Sequence, residues 1–176
     1  MNLDIRMRRA RRADLRTIWP ATLETVWDHL PPDERARLDR GDWEKHFRKR
    51  IESHIEGDRT EAWIAESPAG EFLGYVILGP GGGFLTPETQ GFIWDVWVAP
   101  AHRRKGVGRF LIGWAIDWAR RRGYRKIKLE VSESNVIARR LYEAMGFRAE
   151  RQYMGRTLEG SAPFVIGRNS DDQTVK

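Results

Sequence analysis

The stretch Ile93-Trp94-Asp95-Val96-Trp97-Val98-Ala99-Pro100-Ala101-His102-Arg103-Arg104-Lys105-Gly106-Val107-Gly108-Arg109-Phe110 decides the fold. Its first part extends an apolar run from Phe92 to Val98, read as a buried strand that stops at Ala99-Pro100. A polar turn with two glycines follows. Val107, Leu111, Trp114, Ala115 and Trp118 then share one face of a helix expected from about Gly108 to Arg122, with Gly123 closing it. Amides at a helix N-terminus converge on one spot and carry partial positive charge. Gly106 and Gly108 relax the backbone and remove the Cβ that would hold a phosphate away, and Arg103, Arg104 and Lys105 add charge. Together these parts can cradle a pyrophosphate. The same parts also suit a tight strand-to-helix turn with a solvated basic face. Neither G-x-x-x-x-G-K-[ST] nor G-x-G-x-x-G is present, so P-loop and dinucleotide fingerprints are not met.

Downstream, Lys126 to Val131 alternates as a strand, and Asn135 to Met145 reads as a short helix ended by Gly146. Phe147 to Met154 and Pro163 to Ile166 are candidate closing strands, and Ser170 to Lys176 a frayed tail. Upstream, Asp4 to Arg9 reads as a first strand. Leu15, Ile18, Trp19, Leu23, Val26, Trp27 and Leu30 mark a helix ending before Pro31-Pro32. A second helix, capped by Asp42, carries Trp43, Phe47, Ile51 and Ile55. Trp63 to Glu66 and Phe72 to Leu78 form a hairpin through Ser67-Pro68-Ala69-Gly70, and Gly79 to Gly83 reads as a mobile loop. The sum is one α/β domain over residues 1–169, with no internal repeat.

The composition is that of a soluble globular protein, 40% hydrophobic and 32% charged, with eight Trp. No apolar run is long enough to cross a bilayer, and Met1 to Arg12 lacks the apolar core of a signal peptide, so a cytoplasmic location is expected. Without cysteine there is no disulfide, thiolate zinc site or thiol nucleophile. His29, His46, His54 and His102 lack metal-ligand spacing, so no metal is expected. From Ala101 to Arg151 there are 14 Lys and Arg against 5 Asp and Glu, which implies an anionic partner.

Two motifs in order make a resemblance specific. R-x-x-G-x-G at Arg103 to Gly108 follows V-x-V-x-P at Val96 to Pro100. N-x-x-A-x-x-L-Y-x-x-x-G-F then spans Asn135 to Phe147. Over Phe92 to Phe147 the chain resembles the GCN5-related N-acetyltransferase superfamily. That resemblance implies a central twisted mixed sheet flanked by helices, with Asp95–Val98 splaying from its parallel neighbour at Lys126–Val131. The cofactor half would cover about residues 92–154. Acetyl-CoA would lie in the opening: pantetheine along Val96, Trp97 and Val98, and pyrophosphate on the amides of Arg104, Lys105, Gly106, Val107, Gly108 and Arg109. Arg103 and Arg139 would add charge, and Asn135 would contact pantetheine or order its helix. Tyr142 would lie near the thioester sulfur as general acid, its ordinary alternative being a packing aromatic. Asp95 would be the general base for the amine, and a structural carboxylate is the equal alternative.

The resemblance implies an acetyltransferase of class EC 2.3.1 acting on a primary amine in a ternary complex, with a homodimer plausible. The acceptor is open among a protein N-terminus or lysine, an aminoglycoside, a polyamine and a small amine. Glu24, Asp28, Asp33, Glu34, Asp42 and Glu44 hint at a cation. The rival readings are a basic nucleic-acid-binding protein, which lacks a recognised motif, and a non-catalytic acetyl-CoA sensor.

Overall fold

The computed structural model describes residues 4–56, 59–82 and 87–158. A short β1 (Arg6–Arg9) leads into α1 (Leu15–Asp28), α2 (Pro32–Arg35) and α3 (Arg40–Glu56). Three antiparallel strands follow: β2 (Glu61–Glu66), β3 (Phe72–Gly82) and β4 (Thr89–Val98). The chain then forms α4 (Val107–Arg121), β5 (Ile127–Leu129) and α5 (Val136–Ala144). The sheet runs β1-β2-β3-β4-β5, with β4 and β5 its one parallel pair.

Alternation along β3 gives the sheet two apolar faces. Tyr75 and Ile77 point into a core completed by Ile18, Trp19 and Leu23 of α1 and Trp43 of α3. Val76 and Leu78 point the other way, onto Val107, Leu111, Ala115 and Trp118 of α4. Each such fully buried aliphatic or aromatic side chain contributes about 1.5–3 kcal/mol of transfer free energy. Trp27 meets Trp43 edge-on at a centroid distance of 5.0 Å and Trp43 stacks on Phe47 at 5.2 Å, so these N-terminal rings serve the core.

Several boundaries differ from the sequence expectation. Asp39, rather than Asp42, starts α3: its Oδ1 accepts the Asp42 amide at 2.9 Å. The segment Gly79 to Gly82 is part of β3 and pairs with Thr89 to Phe92 of β4. Proline is tolerated there because β2 ends its pairing at Leu78, so Pro80 lies on a strand edge where its missing amide breaks no ladder. Gly83 lies outside the described residues. The expected strand Lys126–Val131 shrinks to three residues. Phe147 to Met154 forms no strand among the described residues, and Glu150 is held by side chains instead, on Lys128 of β5 and Lys126 just before it. The expected strand Pro163–Ile166 and tail Ser170–Lys176 lie outside the described residues.

Candidate active site

Two features of β4 shape the site. On one side the strand pairs with β5 only from Gly91 to Ile93, so Trp94 to Val98 have no partner across that edge. On the other side the ladder shifts: Leu78 faces Ile93 while Ile77 faces Asp95, leaving Trp94 as an extra residue. This is a β-bulge, which bends a strand and strengthens its twist. It also resets the alternation. Ile93 packs on the α4 face, yet Asp95 and Trp97 stand opposite Ile77 and Tyr75 and so face the N-terminal helices.

Strand geometry settles which backbone groups line the open edge. The Ala99 amide returns to the Leu73 carbonyl at 2.9 Å, toward β3, so alternation turns the amides of Val96 and Val98 outward. The Val98 carbonyl accepts from Arg103 Nε at 3.0 Å, which fixes that arginine at the mouth of the opening. The Arg103 guanidinium also lies over the Trp97 ring, 5.9 Å from its centroid.

At the end of β4 the turn winds tightly. Gly106 takes φ +92°, and Arg104 takes φ +60°, the one positive φ of a non-glycine among the described residues. Such turns aim successive amides at one point. Gly106, the N-cap of α4, has no side chain to bond its first amides, which are left open to a ligand. Gly108 differs from expectation: it is ordinary helix, and its value is space, since a Cβ there would stand 3.2 Å from Leu141 of α5. Arg104 and Lys105 are exposed and make no ion pair among the described residues. Much of the remaining basic segment is engaged structurally. Arg121 and Arg122 lie over Trp114 and Trp118, and Arg120 pairs with Asp117 at 2.9 Å. Arg109 contacts the Met145 sulfur at 3.2 Å.

The helix after β5 contributes the remaining residues. Asn135 Oδ1 accepts the Ala138 amide at 3.2 Å and so caps α5. Arg139 reaches back to the Glu133 carbonyl at 3.3 Å. Tyr142 is half-buried on the α4 face, but the gap between β4 and β5 leaves it within electrostatic reach of Asp95. Burial first, and then the Asp95 charge, push the Tyr142 hydroxyl up to about 12. It therefore holds its proton at neutral pH.

Asp95 is the site's carboxylate. The residue keeps some surface open, but its carboxyl lies deep enough that burial dominates and pushes it up to about 6. The Tyr75 hydroxyl, which donates to Oδ2, and the Val96 amide oppose that rise. Tyr75 itself is fully buried, and burial and the Asp95 charge drive its hydroxyl well above the ordinary value. Neither Tyr75 nor Thr22, which touches it, stands out in the sequence. Inside an apolar strand and an amphipathic helix they read as core.

The arrangement of opened strands, turn and following helix has close parallels. The sequence pattern of the acetyltransferase (GNAT) family matches residues 14–147. The chain belongs to that family. It is 49% identical over 115 residues to streptothricin acetyltransferase of Streptomyces lavendulae, a match covering 62% of this chain and 59% of that protein. Thus the chain spans less than two thirds of that relative's length. Its fold is similar to that of a proposed acetyl transferase from Pyrococcus furiosus, with TM-score 0.72 and 22% identity over 88% of this chain and 99% of the other. It is also similar to a predicted acetyltransferase from Clostridium acetobutylicum whose crystal structure is with acetyl-CoA, with TM-score 0.64 and 16% identity over 87% and 96%. Among the described residues no helix is long and apolar enough to cross a membrane, and no group of three or more His, Asp or Glu could hold a metal ion.

Proposed function

We propose that this family member is an acetyl-CoA-dependent N-acetyltransferase that passes the acetyl group directly to a primary amine. The observation that carries the reading is the opening between β4 and β5, with the Asp95 carboxyl and the Tyr142 hydroxyl within electrostatic reach of each other and an uncapped basic turn at its end. The residues fit the donor. The open edge offers its outward backbone along Val96, Trp97 and Val98 to an extended amide-bearing arm. The amides and side chains from Arg104 to Arg109 suit a pyrophosphate, and a Cβ at Gly108 would crowd Leu141 beside it. Arg103, held on the Val98 carbonyl, and Arg139 of α5 would add charge for the phosphates. Asn135 acts through the helix it caps.

Acetyl-CoA supplies an activated acetyl group on sulfur. The chain's own residues manage the protons. Asp95, with its raised titration, accepts the proton that the attacking nitrogen loses, and does so best at and above pH 6. Tyr142 keeps a proton on its hydroxyl for the departing sulfur. The outward Val98 amide can stabilise negative charge on the acetyl oxygen.

The test is thermal stability with acetyl-CoA, free CoA and a plain oligonucleotide, followed by an amine screen. Streptothricin belongs in the screen beside aminoglycosides, polyamines and peptides, on the strength of the Streptomyces relative. A ligand that binds the native state raises the midpoint. Shifts with both CoA species and turnover with one amine are expected. No shift with either would sink the reading.

A further inference from the structure

A line of hydroxyls runs from Asp95 into α1. The Tyr75 hydroxyl touches Asp95 Oδ2 on one side and Thr22 Oγ1, at 2.5 Å, on the other. Thr22 Oγ1 lies 2.9 Å from the Ile18 carbonyl. Tyr75 and Thr22 are 0% and 1% exposed, so water cannot complete their hydrogen bonding. We propose that Tyr75, backed by Thr22, is a positioning residue for Asp95, forming a reversible two-hydroxyl chain that keeps the buried groups partnered in both charge states of the carboxyl. The proposal deepens, and rests on, the reading of Asp95 as general base.

Counting protons gives the argument. Three contacts share two hydroxyl protons. With Asp95 ionised, Tyr75 donates to the carboxylate and Thr22 donates to Tyr75. The Ile18 carbonyl then keeps only the helix amide of Thr22. When the carboxyl takes a proton, the whole line can reverse: Asp95 donates to Tyr75, Tyr75 to Thr22, and Thr22 to Ile18. In neither arrangement is a buried hydroxyl proton left unpartnered, which otherwise costs the group's full desolvation. A valine in place of Thr22 would leave the Tyr75 proton unpartnered in the protonated state alone, whereas a phenylalanine in place of Tyr75 would take a partner from the carboxyl in both.

The balance of the step is simple. As the nitrogen bonds to the acetyl carbon, its N–H bond breaks, the electron pair stays on nitrogen and the proton goes to Asp95. The carbon–sulfur bond breaks with its electron pair on sulfur, and Tyr142 gives its proton to the departing sulfur. The Tyr75 and Thr22 protons only rotate; Asp95 later returns its proton to water, and Tyr142 regains one from it. Around the carboxyl, β3 presents Tyr75, α5 presents Tyr142, and β4 presents the Val96 amide. The helix α1 presents Thr22 through Tyr75, and its Thr25 accepts from Trp97 Nε1 at 3.3 Å. Arg103 stands behind the Trp97 ring.

The experiment follows the carboxyl itself. The whole chain is labelled with carboxyl-13C aspartate, the Asp95 signal is assigned by its loss in Asp95→Asn, and its titration is recorded by NMR. Tyr75→Phe should raise the midpoint by about one pH unit, because a charge-assisted bond to the ionised form outweighs a neutral bond to the protonated form. Thr22→Val should lower it, since the reversed Tyr75 proton loses its acceptor only in the protonated arrangement. Thr22→Ser, which restores the hydroxyl, should return the wild-type midpoint. An unmoved midpoint in Tyr75→Phe would overturn the proposal, as would a Thr22→Val midpoint that stays or rises. The pH–rate profile is then measured on the same variants. If the carboxyl midpoints move as expected and the acid limb does not follow, Asp95 is not the base, although the hydroxyl chain stands.

Discussion

Replacing Asp95 with asparagine should make the protein more stable and less active, by a margin that grows with pH. In the folded protein burial lifts this carboxyl from an ordinary 3.8 to about 6, so the native state holds its proton more tightly than the unfolded chain does. The sign follows from that difference. The contribution to stability is fully present below the unfolded value and is lost as pH rises through about 6. A rise of roughly two pK units corresponds to about 3 kcal/mol between the two limits, an upper figure because buried carboxyls are partly relieved by relaxation and water. Asparagine has nearly the same shape and cannot ionise, so the variant escapes that loss. Urea unfolding of both proteins, from about pH 4 to about pH 8, should therefore show the stability difference widening by about 2–3 kcal/mol in favour of the variant. Other titrating groups cancel between the two proteins, and Tyr142, at about 12, stays protonated throughout. Over the same range kcat/KM of the variant should fall at least about a hundredfold and lose its acid limb. A stability difference that is flat with pH would refute the buried-carboxylate argument.

Four further outcomes are expected. Gly106→Asp should abolish acetyl-CoA binding by calorimetry, because it places a carboxylate on a φ of +92° at the amide-lined turn. Unchanged affinity would make the turn purely structural. Tyr142→Phe should lower kcat about 10- to 100-fold at nearly constant acetyl-CoA affinity, and rates equal to wild type would reject the acid role. Acetyl-CoA affinity should fall with added salt, since Arg104 and Lys105 are exposed charges, and a salt-independent Kd would count against the basic turn. Gly74→Ala should destabilise by about 1–3 kcal/mol, because its Cβ would collide with the Trp97 carbonyl across the β3–β4 ladder. An unchanged urea midpoint would show that β4 can yield there.

Most of the helices and strands were legible because their periodicities are strong. The α4 face from Val107 to Trp118 and the alternation of Ile127 and Leu129 each appear as read. What escaped detection depends on pairing. Gly79-Pro80-Gly81-Gly82 has loop composition, and only the partner strand β4, at a position β2 has already left, makes it a strand. Ile93 and Asp95 sit two apart and by simple alternation should share a face. The bulge at Trp94 separates them, and no residue type in the sequence announces it. The two motifs single out Tyr142 and the glycine turn, and Asp95 stands out as a carboxylate within an apolar strand. Tyr75 and Thr22 gave no such signal. Their proposed role comes from Asp95, which a shift of one residue in the ladder turns to their side of the sheet.

That extra residue separates two properties that usually travel together, which side of the sheet a residue faces and how far neighbouring strands diverge. Deleting Trp94 would leave Ile93 facing Leu78 and Asp95 facing Ile77, so every side chain beyond would keep its present direction. The bend would be gone, and β4 could continue alongside β5 past Ile93. A shortened chain of this kind should be a better sheet and a poorer catalyst, with Asp95 in place and no room left for a guest. Loss of activity by deletion at this point would leave no trace in the identities of the residues that remain.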